Sequence, residues 1–473
     1  MVATHTFIDD TLTPVRAYAA LRQAAPEAAS FLFESVVGGE RWGRFTIVGY
    51  RAKSDATLLP TGWVFRGERE TRLAAGAGDP LASIAALFQV TDARGGLNPA
   101  ERFARAHVGY LAWDLVHSID KVRAWPAEPG RVRPLARFIS GMTIVVFDNL
   151  AQTVTVAAEA QEDVERACRD LALPVTLHPV ALPDRSKIPT NVEVDVDDAA
   201  YEAKVLRAKE YIAAGDAFQI VLARRFSVPA EGRLAFDVYR AMRVINPSPY
   251  MYFLDLPPAP GESSRTQVAG ASPETLVRLE DGVMTLRPIA GTRPRGKTEE
   301  QDARFERELK SDEKELAEHV MLIDLGRNDV GRVAEVGSVE LVRKMTVERY
   351  SHVMHLVSEV RGRVASTTPP LDVVRAAFPA GTLSGAPKLR AMQIIRELEA
   401  GPRGIYGGAF GYVARTGDLD FAIAIRTAVC ADGVFEVTTG AGIVEGSVPR
   451  LEAEETRNKA RGVLCAIEAA PRG

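Results

Sequence analysis

The order of apolar and polar positions predicts a chain of alternating strands and helices. In residues 31–49 two apolar runs flank the sequence GGERWG, and in 138–157 two more flank Asp148-Asn149, which is typical of strand–turn–strand units. Residues 81–92 and 160–172 carry the helical spacing of apolar residues. The first 172 residues are therefore predicted to form a sheet with a few covering helices.

The segment 173–191 is the best candidate for a linker. It contains four prolines and little periodicity, and proline interrupts both helices and strands. The chain is accordingly predicted to divide into an N-terminal sheet domain at 1–172 and a second domain at 192–473.

The second domain carries the denser pattern of elements. Amphipathic helices are predicted at 198–214, 299–322, 386–399 and 449–469. Strands are predicted at 217–228, 408–414, 420–431 and 434–444. Strands and helices in this mixed order predict an α+β (mixed α/β) fold with mainly antiparallel sheets.

Composition and charge narrow the class of protein. Of the 473 residues 46% are apolar and 25% are charged, as in an ordinary globular protein. The net charge of −4 gives no general attraction to nucleic acid or to anionic membranes. No run of about 20 apolar residues and no secretory signal pattern occurs, so we expect neither a membrane span nor export. The three cysteines, Cys168, Cys430 and Cys465, are far apart and lack a CxxC motif, which fits a cytoplasmic protein without disulfides.

Two pairs of glutamates have the spacing of neighbours on one helix face. Glu315 and Glu318 lie three residues apart, and Glu452 and Glu455 repeat that spacing. Two helices that each offer two carboxylates would form an oxygen-rich site for a hard divalent cation such as Mg²⁺. Taken alone, either pair is better explained as an acidic helix start or a solvated helix face.

Two glycine-rich loops are candidates for anion binding. FPAGTLSGAPK (378–388) opens a helix whose amides can bind an anion, but it lacks the spacing of a nucleotide-binding P-loop. TTGAGIVEG (438–446) follows a strand and lacks the spacing of a dinucleotide fingerprint. Ordinary turn-rich loops explain both segments equally well.

Arg426 and His355 are two further candidates. Arg426 shares a predicted strand face with Ala422 and Ala424, which would leave room for a carboxylate, although an edge arginine facing water explains the same pattern. His355 lies in an apolar run, where a histidine is more often structural than catalytic, although its titration range suits proton transfer.

Taken together, these segments resemble the chorismate-utilising enzymes, and within them the anthranilate synthase component I group. The resemblance is dense from about residue 200 to the end, and LFES (32–35) extends it thinly into the first domain. It implies two packed, mainly antiparallel β-sheets surrounded by helices. The segments that carry it stand in the family's order: RPIAGTRPRG (287–296), ELAEHVMLIDLGRNDVGRV (315–333), FPAGTLSGAPKLRAM (378–392), IYGGAFGY (405–412), FAIAIRT (421–427) and GAGIVEGSVPRLEAEETRNKA (440–460).

The resemblance implies metal and catalytic roles for particular residues. Glu318 and Glu455 would bind Mg²⁺, with Glu315 and Glu452 beside them. Glu315 would also protonate the departing C4 hydroxyl of chorismate. The remaining catalytic positions would be His355, which handles a proton as pyruvate leaves, Thr382, which lines the pocket, and Gln219.

A second set of residues matches the family's substrate-binding positions. Chorismate carries two carboxylates, which would be held by side chains and by backbone amides. The matching residues here are Gly291, Thr292, Tyr406, Arg426, Gly440, Ala441 and Gly442.

Two positions distinguish this chain from other branches of the family. Isochorismate and salicylate synthases have a lysine that activates water where this chain has Gln219, and an amide cannot act as that base. Most aminodeoxychorismate synthases of the lysine type read PIKGT where this chain has Ala290. These differences imply ammonia as the nucleophile at C2, with anthranilate and pyruvate as products, the first step of tryptophan biosynthesis. Aminodeoxychorismate synthase component I is the alternative enzyme, and a non-catalytic sensor of tryptophan or an anion is the alternative outside enzymes.

The resemblance also implies partners and regulation. Ammonia would come from glutamine through a separate glutamine amidotransferase subunit, component II, in a hetero-oligomer. L-Tryptophan would inhibit the enzyme from a separate site, which gives the first domain its regulatory role. The residues that match this site are Glu34, Ser35, Pro249, Tyr250 and Met251.

Overall fold

The structure, a computed structural model, describes residues 2–35, 44–67, 69–74, 80–88, 90–91, 98–126, 132–349 and 353–472. In chain order the strands are β1 (Ala3–Phe7), β2 (Ser30–Glu34), β3 (Phe45–Tyr50), β4 (Ser54–Leu59), β5 (Gly62–Arg66), β6 (Thr71–Ala74), β7 (His107–Leu111), β8 (Ala136–Ser140), β9 (Thr143–Asp148), β10 (Thr153–Ala158), β11 (Glu193–Val194), β12 (Gln219–Pro229), β13 (Tyr250–Leu256), β14 (Thr266–Ser272), β15 (Thr275–Glu280), β16 (Val283–Leu286), β17 (Ile289–Pro294), β18 (Glu340–Arg349), β19 (Val353–Arg363), β20 (Gly385–Ala386), β21 (Ala409–Val413), β22 (Leu419–Ile423), β23 (Thr427–Ala431) and β24 (Val434–Ile443).

Helices cover these strands. In chain order they are α1 (Pro14–Ala24), α2 (Pro99–Ala104), α3 (Val116–Ile119), α4 (Gln161–Leu171), α5 (Asp198–Ala213), α6 (Ala235–Ile245), α7 (Glu299–Ser311), α8 (Glu313–Gly331), α9 (Pro370–Ala377), α10 (Gly381–Ser384), α11 (Lys388–Leu398) and α12 (Pro449–Ala469). Short 3₁₀ helices lie at Ala82–Phe88 and Trp113–Leu115. None of the described helices is both long and apolar enough to cross a membrane.

The strands form two sheets in which neighbouring strands run antiparallel. The first has the order β1-β10-β9-β3-β2-β13-β14-β23-β24-β12-β11, with β20 beside β12. The second has the order β17-β19-β16-β15-β22-β21-β7-β8-β4-β5-β6, with β18 beside β19. The α+β class with two mainly antiparallel sheets is therefore confirmed.

Alternation along the strands of the first sheet separates two layers of core. Tyr252 of β13 faces the second sheet, where its ring stacks on Phe410 of β21 with centroids 4.5 Å apart. Phe253, the next residue, faces outward and meets Tyr18 of α1 at 5.5 Å. Because successive side chains of a strand point to opposite faces, one strand builds both the layer between the sheets and the layer under the helices.

Most of the predicted elements are confirmed. The strands of both predicted hairpins are present, and the chain turns at Asp148-Asn149 between β9 and β10; the GGERWG turn lies outside the described residues. Helices α4, α5, α11 and α12 coincide with four of the predicted helices. Residues 81–92, predicted as a helix, form a 3₁₀ helix over Ala82–Phe88.

The prediction of one helix over 299–322 is wrong. The chain forms α7 and α8 instead, which meet at Asp312. The Asp312 carboxylate accepts hydrogen bonds from the backbone N–H groups of Lys314 and Glu315, at 3.1 and 3.2 Å. An aspartate that caps free amides in this way starts a new helix, and its side chain cannot be seen as a cap from apolar spacing alone.

The predicted linker carries no helix or strand anywhere in 173–191, all of which is described. Strands from either side of it pair directly, since β2 lies beside β13 and β7 lies beside β21. The sheets therefore run continuously across the predicted division, and the assignment of 1–172 and 192–473 to separate domains stays a prediction.

Candidate active site

A cavity of about 540 Å³ lies where the two sheets meet α8 and α12. Every residue that the sequence assigns to catalysis, substrate or metal lines this cavity, with the exception of Ala441. These lining residues are Gln219, Gly291, Thr292, Glu315, Glu318, His355, Thr382, Tyr406, Arg426, Gly440, Gly442, Glu452 and Glu455.

The carboxylates of α8 and α12 meet across this cavity. Burial raises the pKa of Glu315, and the negative charge of Glu318 raises it further. Burial likewise raises the pKa of Glu452, with a smaller contribution from Glu455. Each helix therefore holds a pair of like charges at the spacing that the sequence predicts, and a cation in the cavity would relieve the repulsion.

Two protein groups hold the carboxylates that the resemblance assigns to the metal. The Gln219 side-chain amide donates to Glu318 Oε1 at 3.1 Å. The Lys459 ammonium lies 2.7 Å from Glu455 Oε1 and donates to the Gly440 carbonyl at 2.9 Å. Within the described ranges no three acidic, histidine or cysteine side chains converge closely enough to hold a metal ion as a group.

The glycines of β24 make the room for a ligand. A Cβ built on Gly440 would lie 2.9 Å from the Tyr406 hydroxyl, and one on Gly442 would lie 2.9 Å from Gln219 Nε2. Ala441 between them points to the opposite face and is fully buried in the core. Its side chain therefore has a packing role, and only its backbone belongs to the cavity wall that the sequence predicts.

A β-bulge at Gly291 brings Thr292 and His355 together. The register of β17 against β19 shifts between Ala290 and Thr292, and Gly291 has a left-handed φ of 65°. His355 Nδ1 lies 3.0 Å from the Gly291 carbonyl and 3.1 Å from Thr292 Oγ1. Since a carbonyl can only accept, the ring proton sits on Nδ1 and the lone pair on Nε2. Burial lowers the pKa of His355, so the ring is neutral near pH 7.

Arg426 lies where the chain passes from one sheet to the other. β22 ends at Ile423 in the second sheet, and β23 begins at Thr427 in the first. Arg426 has a left-handed φ of 50°, so the prediction that it continues the strand face of Ala422 is wrong. Its guanidinium nonetheless enters the cavity, where Nη1 donates to Asn246 Oδ1 at 3.1 Å.

Glu274 is a functional candidate that the sequence analysis misses. It lies between β14 and β15, lines the cavity, and accepts a hydrogen bond from Thr382 Oγ1 at 3.0 Å. Burial raises its pKa to about 7, against opposing effects of Thr382, Arg426 and Lys459. No residue spacing links Glu274 to a partner, so only the three-dimensional packing identifies it.

The structure brings together part of the predicted tryptophan site. Glu34 of β2 lies opposite Met251 of β13 in the sheet register. The Glu34 carboxylate pairs with Arg243 at 2.9 Å and accepts from the Tyr239 hydroxyl. The neighbouring Ser35 hydroxyl is buried and has no hydrogen-bond partner among the described residues.

The other two predicted tryptophan residues, Tyr250 and Pro249, make separate contacts. The Tyr250 hydroxyl donates to Asp420 at 2.8 Å and contacts Thr275 Oγ1 at 2.9 Å. Pro249 lines a second cavity that adjoins the catalytic one. Tyr250 and Met251 are neighbours on β13, so their side chains point to opposite faces of the sheet, and the five-residue site stays a prediction.

Comparison with known proteins identifies the family. The model of the chorismate binding enzymes matches residues 51–464. Anthranilate synthase component 1 of Streptomyces coelicolor is 44% identical over 98% of this chain and 88% of its own length. That of Thermus thermophilus is 44% identical over 99% of this chain and 98% of its own length. The chain belongs to the anthranilate synthase component 1 family of chorismate-binding enzymes.

Solved structures agree with this family membership. Anthranilate synthase component I from Streptococcus pneumoniae superposes with a TM-score of 0.78 at 33% identity, covering 97% of this chain and 99% of that one. The menaquinone-specific isochorismate synthase from Escherichia coli has a TM-score of 0.71 at 18% identity, covering 99% of this chain and 95% of that one. At this identity the two proteins are similar in fold alone. As a member of this family the chain is an enzyme that acts on chorismate.

Gly442 offers a direct test of the cavity wall. In the variant Gly442→Ala the new methyl group would press on the end of the Gln219 side chain and displace its hydrogen bond to Glu318. Misplacing an active-site group by about 1 Å can lower the reaction rate by about 100-fold. We therefore expect kcat/KM for chorismate to fall about 10- to 100-fold.

The matched control is Gly446→Ala, since a Cβ at Gly446 meets no atom within 4 Å. Both variants should keep the wild-type melting temperature, because the Gln219 side chain can move aside. Full activity of Gly442→Ala would show that this face of β24 does not contact the reacting substrate.

Proposed function

We propose that the chain is the aminase subunit of an anthranilate synthase, which converts chorismate and ammonia to anthranilate and pyruvate in tryptophan biosynthesis. The observation that carries the proposal is the pair Gln219 and Ala290 in the walls of an otherwise complete cavity. Neither side chain can act as the nucleophile or as the base that activates water, so the attacking group has to come from outside the chain.

Arg426 and the glycines of β24 support the binding of a dicarboxylate. The guanidinium of Arg426 has a fork of donors that matches one carboxylate. At Gly440 and Gly442 the strand β24 presents no side chain to the cavity, which lets a second carboxylate approach the backbone amides there. Tyr406 and Thr292 contribute hydroxyls to the same walls.

The first chemical step needs a proton donor, and we assign it to Glu274 rather than Glu315. Ammonia attacks C2, the ring double bonds shift, and the C4 hydroxyl leaves as water after it takes a proton. With its pKa raised to about 7, Glu274 carries that proton at neutral pH. Thr382 occupies Oε1 of Glu274, which leaves Oε2 for the acidic proton. Glu315 is the weaker candidate for the proton donor, because the Arg293 guanidinium at 3.5 Å favours its ionised form against the effect of burial.

The second step needs a base, for which His355 is the candidate. With the ring proton on Nδ1, Nε2 is the basic nitrogen, and we assign it the removal of the hydrogen on C2. Removal of that proton and cleavage of the C3–O bond expel the side chain as the enol of pyruvate and leave an aromatic ring. The bonds of His355 to Gly291 and Thr292 fix the plane of its ring for this transfer.

The donor set of α8 and α12 suits Mg²⁺. This ion favours oxygen ligands and is usually held by one or two carboxylates together with water and substrate, so a closed set of three protein ligands is not needed. We propose Glu318 and Glu455 as its direct ligands. Glu315 and Glu452 would contact the ion through bound water. Bound Mg²⁺ supplies a positive charge that allows a substrate carboxylate to lie beside these glutamates.

The cysteines support a separate source of ammonia. Burial raises the pKa of Cys430 to about 11 and also raises the pKa of Cys168 and Cys465. None of these thiols is activated as the nucleophile of a glutaminase would be. We therefore propose that a cytoplasmic hetero-oligomer with a glutamine amidotransferase subunit, component II, supplies the ammonia.

The neighbourhood of Ser35 supports feedback control by L-tryptophan. A buried hydroxyl without a partner is costly, and an α-amino or α-carboxylate group would satisfy it. The Glu34 carboxylate beside it could exchange Arg243 for the ligand's ammonium. We propose that Glu34, Ser35 and Met251 form the tryptophan site, with Pro249 and Tyr250 linking it to the catalytic half.

The deciding experiment supplies the purified chain with chorismate, Mg²⁺ and an ammonium salt at alkaline pH. Anthranilate fluorescence and equal amounts of pyruvate are expected, and chelation of the metal should abolish both. Accumulation of 4-amino-4-deoxychorismate would instead identify an aminodeoxychorismate synthase. The absence of any turnover would favour the non-catalytic sensor of tryptophan or an anion.

The variant Glu274→Gln tests the proton donor. Its amide can still accept from Thr382 but has no acidic proton, so we expect kcat to fall about 10²- to 10⁴-fold. A raised pKa means that wild-type Glu274 is protonated below about pH 7 and ionises as pH rises, so the wild-type rate per free NH₃ should decline above that pH.

The residual activity of Glu274→Gln should lack this alkaline decline. The control is Glu280→Gln, an exposed glutamate at the end of the same hairpin strand β15. A Glu274→Gln variant with the wild-type rate and pH profile would return the acid role to Glu315.

The variant Ser35→Arg tests the regulatory site. A long charged side chain would fill the space beside Glu34, so half-inhibition should require at least about ten times more tryptophan while the uninhibited rate is kept. Ser54→Arg, on an exposed strand start, is the control and should keep wild-type sensitivity. Equal inhibition of wild type and Ser35→Arg would exclude this site.

A further inference from the structure

A second cavity of about 320 Å³ adjoins the catalytic one and has the opposite charge. The two share Pro273, Thr292, His355, Arg426 and Lys459 as walls. We call the second cavity the cationic chamber. Its lining includes four basic side chains and, in the described part of the chain, no carboxylate: Arg185, Arg426, Lys459 and Arg461.

The cationic chamber connects solvent with the substrate arginine. Arg461 on α12 and Arg185 in the segment 173–191 are both exposed at its outer end. Arg426, half-buried, and His355, buried, form its inner end. Arg185 is held in place by a hydrogen bond of 2.9 Å from Nη2 to the Ile245 carbonyl.

Arg461 and Arg185 lie close enough to each other to act on one neighbouring group, Cys465. Burial raises the pKa of Cys465, and Arg461 and Arg185 both lower it again, against a smaller opposing effect of Asp184. Arg461 and Arg185 line the outer end of the cationic chamber, whereas the nearby acid Asp184 does not line it.

The catalytic cavity opens differently. Its exposed rim includes Glu455 and Lys314, and Glu315, Glu318 and Glu452 stand behind them. The ammonium of Lys459 is already paired with Glu455 at 2.7 Å. A doubly negative substrate that approached from this side would meet unfavourable potential, whereas a divalent cation would be drawn in.

We propose that the cationic chamber is the anion entrance of the active site, through which the chorismate dianion reaches Arg426. Mg²⁺ enters from the opposite, carboxylate-lined rim. Clefts lined by one sign of charge raise the local concentration and the association rate of the opposite sign. The inference rests on the proposed function, since it takes chorismate as the substrate that is turned over.

Two charge reversals on the same helix separate the routes. Arg461→Glu changes the outer end of the cationic chamber, and Arg450→Glu makes the same change of two charge units near the carboxylate-lined rim. Arg450 is 71% exposed, pairs only loosely with Glu454 at 3.5 Å, and lines neither cavity. We expect kcat/KM for chorismate to fall about 5- to 20-fold in Arg461→Glu at low salt, with less than about a 2-fold change in Arg450→Glu.

Salt and a smaller substitution sharpen the test. At about 0.5 M salt, where screening acts within about 5 Å, the defect of Arg461→Glu should largely disappear. Asn458→Asp introduces one negative charge into the cationic chamber with almost no change in size, and it should show a smaller defect with the same salt dependence. The KM for ammonium should be unchanged in all three variants.

Each other result overturns the inference. A larger loss in Arg450→Glu would place substrate entry at the carboxylate-lined rim, and equal losses would reflect net charge alone. A rise in the KM for ammonium with unchanged kcat/KM for chorismate would make the cationic chamber a passage for ammonia. If the wild-type chain makes no anthranilate, the proposed function itself fails. If wild type and Arg461→Glu make anthranilate with equal kcat/KM for chorismate, the proposed function stands and only the anion entrance is refuted.

Discussion

Charge repulsion around the substrate is the constraint on which the rest of the active site depends. A substrate with two carboxylates must come to rest among five glutamates that line one cavity. The pKa values of Glu315 and Glu452 are raised by burial and, to a smaller extent, by the negative charge of the neighbouring glutamate on the same helix. They reflect how closely the negative charges lie together. The charges of the two signs stand on different elements: the paired glutamates are on α8 and α12, whereas Arg426 is on the connection between β22 and β23. In the binding mode that we propose, one substrate carboxylate binds Arg426 while a cation neutralises the glutamates.

The fold supplies this separation of charge because both sheets contribute to one cavity. The chain leaves the second sheet at Ile423 and enters the first at Thr427, and the left-handed residue between them is Arg426, which we propose as the substrate arginine. A non-glycine residue in this conformation is strained, and such strain is retained where surrounding structure holds it. The same chain crossing sets Arg426 beside Asn246 and against the wall of the cationic chamber. One short connection therefore determines where an anion can bind.

The sequence predicts the parts of the site that follow a regular spacing. Glu315 and Glu318 share a helix face because i and i+3 do so on any helix, and the break at Asp312 leaves that relation intact. The face of Arg426 was not predictable in the same way, since strand alternation ends three residues before it. Glu274 follows no period at all: burial raises its pKa, and its hydrogen-bond partner Thr382 lies more than 100 positions away. Distant packing partners of this kind are decided by tertiary structure and not by local pattern.

The segment from Asn246 to Met251 joins the proposed regulatory site to the substrate arginine. At one end Met251 lies opposite Glu34, and at the other Asn246 accepts the hydrogen bond from Arg426. Five residues span at most about 18 Å, and two of those between are prolines, which restrict the backbone. A ligand that shifts Met251 against Glu34 therefore has a short, stiff path by which to move Asn246. A coupling free energy is the same in both directions. If tryptophan lowers the affinity for chorismate through this path, chorismate bound to Arg426 must therefore lower the affinity for tryptophan by the same factor.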